Sequence, residues 1–254
     1  MKIQVLGGHG GLARGFNTTS FLIDQKLLID AGAVAVALSV EEQTNIDNIL
    51  ITHSHLDHIK DLAFLCDNCF GLKDAPFAVY THPTVKQVIK NHLLNNIVWP
   101  DFTTLPSKDN PTMDIWGVTP EESFKAGKYQ VMPVKVQHPL DAMGFIVSDE
   151  KVSVLFSGDT GNTDRIWELA RKIKNLKAIF TEVSFPNSMQ RIATLSDHHT
   201  PESLKEEIPK MPPHIPIILT HLKPNFRPEI MEEISKLHEK RIRVLDHDGE
   251  TFEF

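Results

Sequence analysis

Short apolar segments, repeated along the chain and broken by turn residues, constrain its fold more than any other feature. Segments rich in Val, Ile and Leu occupy residues 2–6, 19–23, 26–30, 48–52, 77–80, 129–136, 143–147, 151–156, 177–181, 215–220 and 241–245. Several alternate with a period of two and several end in Gly or Asp, the pattern of strands packed on at least one face. Helical patterns lie between them. Val85, Val88, Ile89 and Leu93 share a face over 83–95, and Ile166, Leu169, Ala170 and Ile173 share one over 163–174. Residues 201–209 and 228–239 also read as helices, each opened by a proline whose missing N–H would be unpaired there anyway. A layered α/β architecture with mixed sheets follows. Region 103–128, with Pro106, Pro111, Gly117 and Pro120, reads as a loop-rich insert. No repeat, low-complexity tract or linker divides the chain, so a single domain over 1–254 is expected.

The composition, 41% hydrophobic and 23% charged, is that of a globular protein. No apolar run reaches the roughly 18 residues of a membrane span, so no membrane partner is expected. Met1-Lys2-Ile3-Gln4-Val5 leads directly into a strand pattern with no secretory leader, which makes a cytoplasmic location the expectation. A net charge of −7 opposes a broad phosphate-tracking surface, so long nucleic acid is not an expected partner. Cys66 and Cys69 are the only cysteines and fall on one face of a helical pattern. A four-sulfur zinc site is excluded, and packing is their expected role.

Gly8-His9-Gly10-Gly11-Leu12-Ala13 imitates a dinucleotide fingerprint, with Asp30 at a strand end further on. That fingerprint requires a helix directly after the glycines. Asn17-Thr18-Thr19-Ser20-Phe21-Leu22-Ile23-Asp24 is β-branched and alternating instead, which predicts paired strands and no nicotinamide cofactor.

The densest chemistry lies at His53-Ser54-His55-Leu56-Asp57-His58, directly after the buried-type strand Ile49-Leu50-Ile51-Thr52. Imidazole nitrogen and carboxylate oxygen suit zinc, manganese or iron. An alternating His-x-His in extended backbone projects both rings to one side. The turn that follows can aim Asp57 and His58 at a second ion. A polar loop capping a helix would gain nothing from three histidines. Further ligands are expected at other strand ends, where backbones are firm and side chains converge. His138 follows Val134-Lys135-Val136-Gln137, Asp159 follows Phe156-Ser157-Gly158, and His221 follows Ile217-Ile218-Leu219-Thr220.

This order of ligands resembles the metallo-β-lactamase superfamily. The resemblance implies a four-layer αββα sandwich with a site for two divalent ions at one edge. It implies His53, His55 and His138 on the first ion, Asp57, His58 and His221 on the second, and Asp159 bridging them. Zinc is the expected ion, with manganese and iron as alternatives.

Two further elements bear on the reaction. Glu182 ends a strand pattern, and Ser196-Asp197-His198-His199-Thr200-Pro201 opens a helix. From the residues alone, His198 is either the neighbour of a helix cap or an acid oriented by Glu182. An oriented acid suits phosphodiester cleavage, because an alkoxide leaves poorly without a proton. His92-Leu93-Leu94-Asn95-Asn96-Ile97-Val98-Trp99-Pro100-Asp101-Phe102 resembles the Asn-Asn-x-x-Trp-Pro-Asp-Phe segment of the class II 3′,5′-cyclic-nucleotide phosphodiesterases. Ile29-Asp30-Ala31-Gly32, Gly158-Asp159-Thr160-Gly161, Glu182-Val183-Ser184-Phe185-Pro186 and Thr220-His221-Leu222-Lys223-Pro224 also match that family.

The resemblance implies a small phosphodiester substrate, most simply cyclic AMP or cyclic GMP, attacked by water that the ions activate. It implies that Asp57 ligates and orients the nucleophile, while His198, held by Glu182, protonates the departing oxygen. Trp99, Phe102 and Asn96 are candidates for a base-binding wall, with core packing as the alternative for the two aromatics. Apolar residues in 97–118 offer a contact for a homodimer. The alternatives on the same fold are an RNA-processing nuclease, a thioester or lactam hydrolase, and a diiron oxidoreductase.

Overall fold

A computed structural model describes residues 1–254 and gathers the apolar segments into two facing sheets. The first part of the chain forms β1 (Lys2–Gly7), β2 (Ser20–Ile23), β3 (Leu27–Ile29), β4 (Asn48–Leu50) and β5 (Phe77–Thr81). Its helices are α1 (Val34–Ala37), α2 (Val40–Thr44), α3 (Leu56–Cys69) and α4 (Pro83–Val88), the last continuing as a π-helical turn over Ile89–Leu93. A small hairpin of β6 (Pro106–Ser107) and β7 (Asn110–Pro111) precedes β8 (Met113–Gly117). Next come β9 (Phe124–Ala126), β10 (Tyr129–Lys135), β11 (Met143–Ser148), β12 (Ser153–Phe156), β13 (Leu176–Glu182), β14 (Ile217–Thr220), β15 (Ile242–Val244) and β16 (Thr251–Glu253). The remaining helices are α5 (Arg165–Ala170), α6 (Gln190–Leu195), α7 (Pro201–Glu207) and α8 (Arg227–Ser235). One sheet has the order β16-β1-β2-β3-β4-β5-β8, the other β15-β14-β13-β12-β11-β10-β9.

The period-two pattern explains the layering, since each strand sends alternate side chains to opposite faces. In β2, Phe21 and Ile23 enter the layer between the sheets, while Leu22 joins the helices outside. In β12, Val154 and Phe156 enter the inner layer, while Leu155 packs with Ile166 and Trp167 of α5. Phe156 and Phe180 stack at the centre with ring centroids 4.9 Å apart. The result is the expected αββα sandwich.

Two expectations are settled here. Segment 103–128 is not a loop-rich insert: β8 pairs parallel with β5 at the edge of one sheet, and β9 pairs antiparallel with β10 at the edge of the other. Its prolines lie in the small hairpin and the connection, while Met113 and Ile115 of β8 alternate into the core. The glycines at 8–11 precede no helix, and His9 instead forms bridges with Thr18 and Leu222. No helix is long and apolar enough to cross a membrane.

The parallel pairings position the site. β3 runs parallel to β4, and β12 runs parallel to β13 and β14, so their carboxyl ends share a rim. Far from that rim, Asp24 ties the two sheets together. It accepts from the Lys2 N–H at 2.7 Å and the Tyr129 hydroxyl at 2.6 Å, and pairs with Lys128 at 2.8 Å. Burial opposes its ionisation, but the bonds from Lys128, Tyr129 and Lys2 prevail and bring the pKa down to about 2. A folded pKa below the unfolded one means the stabilisation is full above about pH 4 and lost as pH falls through about 2. Asp24→Asn is therefore expected to lower the melting temperature near neutral pH, with a gap to wild type that narrows toward pH 3. Calorimetry at both pH values checks this, and a gap independent of pH would refute it.

Candidate metal centre

Strand ends deliver the polar side chains to the rim. Asp30 follows β3, His53 follows β4, His138 follows β10, Asp159 follows β12, Glu182 ends β13 and His221 follows β14. His55 is the N-cap residue of α3, which puts Asp57 and His58 in its first turn. A carboxylate is favoured there by the helix dipole. The Asp30–Gly32 loop straps that turn down: the Ala31 N–H donates to the His58 carbonyl at 2.7 Å, and the Asp61 N–H donates to the Ala31 carbonyl at 2.9 Å. Gly32 is required by this approach, since a Cβ would lie 2.1 Å from the Asp57 carbonyl oxygen.

The side chains fall into two main groups at the rim. His53, His55, His138 and Asp159 make one, and Asp57, His58 and His221 make the other, with ligand atoms in each within 4.8 Å of one another. Asp159 lies between them. Its Oδ2 is 3.7 Å from His53 Nε2, 3.3 Å from His58 Nε2 and 3.3 Å from His221 Nε2. His221 Nε2 also lies 3.3 Å from Asp57 Oδ2. A third grouping, Asp159, His198 and His221, overlaps the second.

Hydrogen bonds to the outer ring nitrogens fix which nitrogen faces inward. His58 Nδ1 donates to Asp30 Oδ2 at 2.7 Å, leaving Nε2 toward Asp159. Thr52 Oγ1 gives its one hydrogen to Asp30 at 2.8 Å, so at 3.0 Å it can only accept from His53 Nδ1. Ser184 Oγ likewise donates to Glu182 Oε2 at 2.7 Å and accepts from His221 Nδ1 at 2.9 Å. His138 Nδ1 donates to the Asp197 carbonyl at 3.3 Å. Four imidazoles thus turn an Nε2 lone pair to the centre.

This donor set fits a divalent metal. His53 Nε2 lies 2.9 Å from His55 Nδ1, and His138 Nε2 lies 3.3 Å from the same atom. A single proton on His55 can satisfy only one of them. His58 Nε2 is buried without a hydrogen-bond partner. Burial, helped by the neighbouring His58, holds His53 well below the usual imidazole range. Burial likewise lowers His55 and His138. For Asp159, burial is outweighed by His221 and His58, and its carboxyl stays well below the carboxylate range. His58 goes the other way, because Asp159 and Asp30 outweigh burial and draw positive charge between its ring and Asp159. The neutral imidazoles of His53, His55 and His138 beside the ionised Asp159 are what zinc-type ions bind.

Glu182 and His198 meet as expected. His198 Nδ1 donates to Glu182 Oε1 at 2.6 Å, and the ring stacks on His221 with centroids 5.5 Å apart. Glu182 also accepts from the Thr160 N–H at 3.2 Å and the His199 N–H at 3.3 Å. Burial opposes its charge, but His198 prevails and lowers its pKa.

The base-wall candidates lie elsewhere. Phe102 is buried in the core beneath α3, Trp99 packs on Phe64, and Asn96 Oδ1 accepts from the Asp101 N–H at 2.9 Å within its own loop. Packing and loop bracing account for all three. Cys66 and Cys69 are buried free thiols in the same core, and burial raises both pKa values. Sequence reasoning missed the positioning roles of Asp30, Thr52 and Ser184. Ser184 carried a usable signal, since it stands two residues past Glu182, the spacing that puts side chains on one face wherever the backbone stays extended.

Fold and site together define a metal-dependent hydrolase. A family model described as a beta-lactamase superfamily domain matches residues 25–239, and the chain belongs to that family. It is 26% identical over 313 residues to a probable 3′,5′-cyclic-nucleotide phosphodiesterase of Yersinia pestis, covering 100% of this chain and 89% of the relative. It is 25% identical over 235 residues to 3′,5′-cyclic-nucleotide phosphodiesterase 1 of Saccharomyces cerevisiae, covering 77% of this chain and 63% of that relative. The crystal structure of unliganded yeast PDE1 superposes with a TM-score of 0.85 at 21% identity over 98% of both chains.

The Asp30 bond to His58 leads to a prediction. Asp30→Asn is expected to weaken metal affinity by about 10–100-fold, since the amide no longer enforces the Nδ1–H form of His58. Competition against a chromogenic chelator measures this, and undiminished affinity would remove Asp30 from the site.

Proposed function

We propose that this chain is a phosphodiesterase that hydrolyses 3′,5′-cyclic nucleotides. The observation that carries the reading is the buried Glu182–His198 pair beside the metal cluster, with Oε1 and Nδ1 2.6 Å apart. A protein that only stores metal has no use for such a pair. The names of the Yersinia and yeast relatives supply the substrate class.

His53, His55 and His138 would hold one divalent ion and Asp57, His58 and His221 a second, with Asp159 shared and zinc the foremost candidate. When bound, the ions supply charge that offsets the phosphate and acidity that activates water. The chain's own residues do the rest. Asp57 is the most open carboxylate of the cluster, with 30% of its side chain exposed against 3% for Asp159. Its exposed carboxylate orients the attacking water at the rim. His198 commits Nδ1 to Glu182, so the ring offers only Nε2 to the substrate. Burial would depress its pKa, but the Glu182 charge and hydrogen bond raise it to about 9, which keeps the ring protonated at neutral pH. That proton goes from Nε2 to the oxygen of the breaking P–O bond, so a sugar oxygen departs as a hydroxyl.

His198→Ala is expected to retain metal and to slow cyclic-nucleotide turnover by about 10²–10⁴-fold. The loss should be much smaller with bis(p-nitrophenyl) phosphate, because p-nitrophenolate leaves without a proton. Elemental analysis and kcat on both substrates check this. Equal losses on the two would remove the acid role, and full activity would remove His198 from the mechanism.

A further inference from the structure

A recess of about 500 Å³ opens beside His198, between the loop after β12, α6 and the start of α7. No apolar residue lines it, and neither Lys nor Arg does. Gln137, Asn162, Gln190 and Thr194 supply neutral polar groups, and Asp197, Glu202 and Glu206 supply three carboxylates. Among these carboxylates only Glu202 forms an ion pair with a lysine, Lys205 Nζ at 3.6 Å.

The near wall is tied to the reacting centre. Asp197 sits in the left-handed region with φ 47°, immediately before His198. Its carbonyl accepts from His138 Nδ1 at 3.3 Å, and its carboxylate accepts from Gln137 Nε2 at 3.2 Å. The Gly161 N–H donates to the Gln137 carbonyl at 2.8 Å, and a Cβ at Gly161 would lie 3.3 Å from Asp197 Cα. With Nδ1 turned to Glu182, Nε2 is the ring nitrogen of His198 left for a group in the recess.

We propose that this recess receives the sugar of the substrate on the leaving-group side, and that its carboxylates reject an arm bearing a further negative charge. Sugar hydroxyls are donors that match carboxylate and amide acceptors. An acyl or lipid arm would meet no apolar side chain in the lining. A second anion would meet carboxylates that no lysine or arginine of the recess offsets. The inference rests on the phosphodiesterase reading and narrows it to monomeric, singly charged substrates. In a 3′,5′-cyclic nucleotide the sugar in question is the ribose, whose free 2′-hydroxyl neighbours the breaking bond.

The test compares two cyclic mononucleotides of matched size, one 2′-O-succinylated and so anionic, the other 2′-O-butyrylated and neutral, with the parent compound alongside. Wild-type kcat/KM is expected to be at least about tenfold lower for the succinyl compound at low salt, mainly through KM, and the ratio should shrink as salt rises. In the Glu202→Gln/Glu206→Gln double variant it should fall to about threefold or less. Equal kcat/KM for the two esters in wild type overturns the inference, as does discrimination that survives salt or the double substitution. Those results leave the activity reading standing, provided the parent is turned over. Failure to turn over the parent while bis(p-nitrophenyl) phosphate is cleaved overturns the substrate assignment, and the recess inference with it.

Discussion

Single hydrogen bonds to the outer nitrogens of His53, His58, His138 and His221 set the chemistry of the whole rim. Each bond holds a ring in one orientation and one tautomer, so an Nε2 lone pair points inward. Two buried carboxylates stand behind this. Asp30 takes the hydrogens of Thr52 and His58, and Glu182 takes those of Ser184 and His198. The four rings converge from three strand ends and the first turn of α3, and a bound cation would reconcile their crowded donor atoms.

The sandwich exists to hold those bonds in register. Parallel strands end side by side, so His53, Asp159 and His221, each within three positions of the end of β4, β12 or β14, meet across a few ångströms although they lie far apart in sequence. The geometry demands unusual backbone. Asp30 and His221 adopt left-handed conformations with φ of 57° and 62°, which non-glycine residues avoid unless surrounding contacts enforce them. Both are fastened by the bonds just described, so strain and function coincide at the same residues.

Glu182 serves two tasks through one carboxylate. Oε2 reaches His221 through Ser184, and Oε1 holds His198 directly. The His/Asp cluster and His198 are therefore mechanically joined. The polar recess beside His198 extends this arrangement outward through Asp197, which touches the His138 ring on one side and precedes His198 on the other.

Much of this was written in one dimension. The alternating apolar runs marked most strands, because period-two burial is a local property of extended backbone. The clustered donors His53, His55, Asp57, His58, His138, Asp159 and His221 were legible because each follows such a run or opens a helix. Local pattern also misled. Prolines hid β8 and β9, whose pairing is decided by distant strands, while the choice left open for Trp99 and Phe102 fell to packing under α3. The sequence by itself determined the strands, the layers and the donor atoms, since those follow from hydrophobic period and side-chain chemistry. Only the tertiary structure decided the hydrogen bonds of Asp30, Thr52 and Ser184 and the pairing of His198 with Glu182. Those depend on which partners lie within about 3 Å and on how little water reaches them, and neither is a property of neighbours along the chain.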